Sequence, residues 1–104
     1  MTNPMTGEVS LTIDGQAFDC KLTLGALAAL ETGLGDESLI DLIRRFETSA
    51  FSSRDVMAVV IAGLHGGGWT GNSDDLMTAK IEGGPVEAAK AAALMLARAF
   101  TPPI

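Results

Sequence analysis

A chain of 104 residues has room for one ordinary domain and not for two. Its formal net charge of −6 and its seven scattered Lys and Arg residues exclude the clustered positive surface that nucleic acid or an anionic membrane face requires. Apolar residues make up 47% and aromatic residues only 5%, so the core has to come from aliphatic faces rather than large rings. The single Cys20 cannot form an internal disulfide; at an apolar strand position it reads as a small hydrophobe, consistent with a reducing cytoplasm. No basic stretch followed by an apolar run opens the chain, so no signal peptide is expected. The apolar run around Val56 to Ala62 is far shorter than the roughly 18 residues of a membrane span.

From Glu8 to Leu22 the pattern alternates with period two, and Asp14-Gly15 at its centre is a strong signal for a two-residue hairpin turn. That turn fixes the register. Ile13 falls opposite Gln16, Leu11 opposite Phe18 and Val9 opposite Cys20, which gathers the large apolar side chains on one face, with Glu8 and Lys21 paired on the other. Two strands alone are marginal, so helices or another chain must cover the apolar face.

Thr23 is a cap for a helix through Leu24, Leu27, Ala28 and Leu30, with Gly33 and Gly35 as stops. Ser38 with Asp41, and Ser52 with Asp55, have the spacing of capping boxes. The first opens a helix with Leu39, Leu42, Ile43 and Phe46 on its apolar side. The second opens a helix apolar nearly all round, from Val56 to Leu64, which predicts a central, buried element ending at Gly66-Gly67-Gly68. Ser73 is the expected cap of a short helix carrying Leu76, Met77 and Ile81. Pro85 is the expected first residue of a last helix reaching Phe100. The expected organisation is an α+β fold, an N-terminal β-hairpin followed by four to five helices. Its expected bounds are a flexible N-terminus over 1–6, one domain over 7–101 and a tail over 102–104.

The string His65-Gly66-Gly67-Gly68 resembles part of a lipase oxyanion hole, but no G-x-S-x-G elbow accompanies it and His65 is the sole histidine. A helix stop and flexible connector is the simpler reading. Neither a strand before the glycines nor a Lys-Ser/Thr pair after them supports a phosphate loop. Asn72, Ser73, Asp74 and Asp75 lack the spacing of a calcium loop, whereas acids in a first helical turn are favoured by the helix dipole. No catalytic residue, cofactor or metal is expected. In the last helix, Val86, Ala89, Ala93, Leu96 and Phe100 form one stripe while Leu94 points elsewhere, and the run of alanines permits close approach of another helix. Trp69, in a glycine-flanked loop, is either a lid on the core or a contact for a partner. The candidate partner-binding residues are Trp69, Met77, Leu94 and Phe100.

Three segments together carry a family resemblance: Leu11-Thr12-Ile13-Asp14-Gly15 with Leu22 to Glu31, Phe51-Ser52-Ser53-Arg54-Asp55-Val56, and Ala62 to Gly68. Over roughly residues 7–100 the chain resembles the small protein encoded in the tail-gene cluster of gene transfer agents, the phage-like particles of alphaproteobacteria, and of related tailed phages. The resemblance implies a part in building a long tail, either as a tail assembly chaperone or as a tail tube component. It implies a protein partner, above all the helical tape-measure protein, with a homo-oligomer as a further expectation, and it brings no catalytic residues.

Overall fold

The computed structural model describes residues 9–100, so the expected flexible N-terminus, the tail over 102–104 and the Glu8–Lys21 pair lie outside the described residues. The first elements are β1 (Val9–Ile13) and β2 (Gln16–Cys20), an antiparallel pair in the expected register. Asp14 and Gly15 take φ values of 51° and 81°, the left-handed pair that a two-residue turn matched to strand twist requires. Val9, Leu11, Ile13 and Cys20 are buried as a result, and Phe18 is half-buried beside them.

Five helices follow: α1 (Leu24–Gly33), α2 (Leu39–Glu47), α3 (Ser53–Gly66), α4 (Ser73–Thr78) and α5 (Gly84–Phe100). The fold is α+β. Thr23 caps α1, its Oγ1 accepting from the Ala26 amide at 3.1 Å. Complete capping boxes open α2 through Ser38 and Asp41, and α3 through Ser52 and Asp55. In α4 the cap is Asn72 rather than the expected Ser73: Asn72 Oδ1 accepts from the Asp75 amide at 3.0 Å, and Asp75 returns a carboxylate to the Asn72 amide at 2.9 Å. Asn72 is the residue three positions before the acid, which is the separation this reciprocal pair needs.

The central element is α3, as its apolar circumference predicts. It packs against α1 on one side, α5 on another and β2 across its C-terminal half, while α5 also covers β1. Leu64, Val59 and Val60 of α3, Leu42 of α2, Met95 of α5 and Cys20 of β2 are the largest fully buried side chains. Each buried Leu contributes on the order of 2 kcal/mol. Gly63 makes room for this arrangement, since a Cβ there would stand 2.1 Å from Met95 Sδ and 3.3 Å from Cys20 Cβ. The Gly63 carbonyl, in turn, accepts from the Lys21 amide at 2.9 Å and ties the end of β2 to α3.

Three expectations about faces are corrected. Leu24 stands 85% exposed at the start of α1, whose buried residues are Ala26 and Leu30. The covered face of α5 is Ala88, Ala91, Ala92, Met95 and Leu96, rotated from the expected stripe, so that Val86, Ala93 and Phe100 are left exposed. Ile81 belongs to no helix. It forms an isolated antiparallel bridge with Ile13, reinforced by Glu82 N–H donating to Thr12 O at 2.9 Å and Asp14 N–H to Lys80 O at 2.8 Å. The Asp14 carboxylate accepts from the Lys80 amide at 2.8 Å as well, so the hairpin turn and the α4–α5 connection hold each other.

Candidate functional site

The N-terminal halves of α3 and α5, with α4 beside them, leave an open groove of about 410 Å³. Its walls are Val56, Met57 and Val60 from α3, Leu76 and Met77 from α4, and Pro85, Ala88 and Ala89 from α5, with Phe51 and Ile81 at its ends. The cause is local. Pro85 and the alanines have short side chains, so α5 leaves space that the larger residues of α3 and α4 line without filling. Ser53 is the polar side chain on this surface, and none of the described residues that line it is charged. Such a surface can bury apolar side chains of another polypeptide.

The second recess, about 390 Å³, separates α2 from the C-terminal half of α5 and is lined by Ile43, Phe46, Ala93, Leu96, Ala97 and Phe100, with Glu47 at its edge. The four sequence-derived contact residues therefore do not share one site. Met77, 67% exposed, stands on the wall of the first groove, and Phe100 lies in the second recess. Leu94 is exposed on the outer side of α5 and lines neither. Trp69 is half-buried against the core and stacked on the His65 ring, with centroids 5.8 Å apart and planes 22° from parallel.

The glycine string acquires a different meaning from the expected flexible connector. A Cβ on Gly66 would stand 1.9 Å from the Lys21 carbonyl oxygen, and one on Gly67 would stand 1.8 Å from that of Asp19. These glycines let the last turn of α3 lie directly on the backbone of β2. His65 is exposed, and its Nε2 lies 2.7 Å from the Gly71 carbonyl oxygen, so histidine, tryptophan and Gly71 together fasten the loop that leaves α3. A Cβ on Gly71 would fall 2.2 Å from the indole ring. Among the described residues, no group of three or more His, Cys, Asp or Glu side chains could hold a metal ion. No described helix is long and apolar enough to cross a membrane.

Sequence reasoning missed most of the groove wall. Val56, Met57 and Phe51 were readable as apolar, but a helix apolar all round does not reveal which part of its circumference its own chain leaves bare. It also missed Arg45, whose guanidinium forks onto Asp55 at 2.9 Å through both Nε and Nη2 and pairs with Glu37 through Nη1. The Arg45 hydrogen bonds, aided by the Ser52 amide, hold the Asp55 carboxyl below its ordinary value.

Neither a curated protein nor a solved structure matches the chain. A family model described as phage tail tube protein, GTA-gp10, matches residues 6–101. With nearly the whole chain covered by that match, the protein belongs to the GTA-gp10 family of phage tail proteins.

Proposed function

We infer that the chain is a non-enzymatic assembly factor for a phage-like tail, a chaperone that holds an apolar helical stretch of the tape-measure protein. The observation that carries this reading is the apolar groove between α3, α4 and α5, whose wall presents exposed Met77 and half-buried Val56 and Met57 to an incoming chain, with buried Leu76 behind them. A long helical tape-measure protein must be kept from self-association before a tube closes around it, and shallow apolar grooves on a small acidic domain suit that task. The sheet supports the same reading. A tube wall built from a continuous ring of strands needs open strand edges, and here both edges are partly taken by the chain itself. The Ile81 bridge lies along β1, and Gly66 and Gly67 lie along β2. The net charge of −6 keeps a loaded complex soluble in the cytoplasm before the particle forms.

A second reading, a structural tail subunit retained in the particle, is favoured by the family's description as a tail tube protein. It predicts rings or tubes of the purified chain. Two measurements separate them. Co-expression with the tape-measure protein should yield a soluble complex, and mass spectrometry of finished particles should lack the chain if it is a chaperone and contain it if it is a subunit. No complex and no gain in tape-measure solubility would remove the first reading.

A further inference from the structure

Helix α2 is held less deeply than the two central helices. Of its nine residues only Leu42 is buried, as only Leu76 is in the six-residue α4, whereas α3 and α5 each bury five. Extensive contact joins α3 to α1, α4, α5 and β2, and α5 to β1, but α2 shares no comparable contact with any of them. The chain enters and leaves this helix through left-handed residues, Gly35 at φ 67° and Ser49 at φ 58°. Between α2 and α5 lies the 390 Å³ recess rather than a filled interface.

What fastens α2 to the body is a short set of contacts. Leu42 plugs the core with no exposed surface, Leu39 and Ile43 pack against it half-buried, and the Phe46 ring stacks on Phe51 at 4.7 Å with planes 5° apart. Arg45 forks onto Asp55 at the head of α3. Its other partner, Glu37, lies on the same side of the joint as Arg45, just ahead of α2, so that pair stiffens the moving part without tying it down. Both ends of α2 are closed locally, by the Ser38–Asp41 box and by the Thr48 amide donating to Arg44 O at 3.0 Å, while the Ala50 amide, donating to Arg45 O at 2.8 Å across Ser49, is a bond that opening has to break. Helix α2 therefore carries its own terminal hydrogen bonds and can move intact.

We propose that α2 is a hinged flap that opens as a unit between Gly35 and Ser49, plugged by Leu42 and latched by the Arg45–Asp55 fork. Opening withdraws Leu42 from the core and removes the wall that Ile43 and Phe46 give the recess, which uncovers the side of α5 that carries Ala93, Leu96 and Phe100. The device stands whether the protein acts as a chaperone or as a tail subunit.

Amide hydrogen exchange on the full chain tests it. In native buffer the amides of 39–47 should exchange about 100-fold faster than those of Val59, Val60 and Leu64, with little dependence on denaturant, the mark of opening below the global level. Arg45→Gln should speed the α2 amides about 10-fold further while leaving the α3 amides within about 2-fold. Should that variant fail to fold, raising sodium chloride to about 0.5 M, which screens this part-buried latch less than it would an exposed one, should give a smaller gain of the same selectivity in the unmodified chain. Equal exchange of α2 and α3 in the native chain, or equal acceleration of both by the substitution or by salt, overturns the flap.

Discussion

Gly67 lies against the backbone of Asp19 so closely that a Cβ on the glycine would stand 1.8 Å from the Asp19 carbonyl oxygen. The obstacle is main chain rather than the tip of a side chain, so a rotamer change cannot relieve it. Either α3 must lift from β2, which would strain the Lys21–Gly63 hydrogen bond, or the strand must bend. Gly67→Ala should therefore cost about 3 kcal/mol, at the upper end of overpacking substitutions. On a domain of this size that lowers the melting temperature by roughly 15 °C. Gly33→Ala is the control, because nothing lies within 4 Å of its Cβ direction and the residue is helical. It should be neutral or raise stability by up to about 1 kcal/mol. Thermal unfolding of the two variants checks both outcomes.

A gain should come from the end of α2. Ser49 has φ 58°, with its amide directed at Phe46 O and the next amide, Ala50, at Arg45 O, which is the paired closure that a left-handed residue after a helix produces. Glycine adopts this conformation without the Cβ clash that serine carries. Ser49→Gly should raise unfolding free energy by about 0.5–1 kcal/mol, the left-handed relief less the added freedom of the unfolded chain. Urea denaturation should show a higher midpoint and an unchanged slope.

The parts of this fold that could be read from the sequence are those fixed by neighbours a few residues away. Asp14-Gly15 sets the register of β1 and β2, and the serine–aspartate pairs mark the starts of α2 and α3, because each signal lies within the segment that it organises. The face of α5 could not be read. From Ala88 to Ala99 nearly every direction around the helix is apolar, so periodicity gives no preferred side. The side is chosen by the notch at Gly63, into which Met95 fits. The candidate site suffered similarly. A groove is the apolar surface left uncovered, and Met77 and Phe100 looked alike in sequence although they lie on separate recesses.

Stability should fall at both ends of the pH range for separate reasons. Asp55 has a folded-state pKa below the ordinary 3.8, chiefly through the hydrogen bonds from Arg45. Its contribution is complete above 3.8 and is lost as pH drops through the lower folded value, when the unfolded chain already holds the proton. Asp55→Asn should flatten this acid limb. At the alkaline end, burial, with a smaller push from Asp19, raises the Cys20 thiol to about 12 from 9.0. Above pH 9 the unfolded thiol ionises while the folded one stays neutral, so stability should decline between pH 9 and 12. Urea midpoints measured across pH should show a shallower alkaline decline for Cys20→Ala, whatever its change at neutral pH. An alkaline limb unchanged by that substitution would assign the decline to other groups.

Partner binding should separate by face. Met77 is 67% exposed on the groove wall, so Met77→Lys removes little buried surface and should leave unfolding free energy within about 0.5 kcal/mol. A lysine there must either be desolvated or hold an incoming apolar helix away, and no carboxylate stands among the described residues that line the groove. Co-purification with the tape-measure protein should drop at least about 10-fold, equivalent to about 1.4 kcal/mol. Leu94→Lys places the same charge on the outer side of α5, away from both recesses, and should leave that co-purification unchanged. Phe100→Lys probes the recess beneath α2, and Trp69→Ala probes the fastened loop, where lost stacking on His65 should lower stability as well. If Leu94→Lys abolishes capture and Met77→Lys does not, the binding surface is the outer face of α5, and the groove between α3, α4 and α5 is only a packing defect.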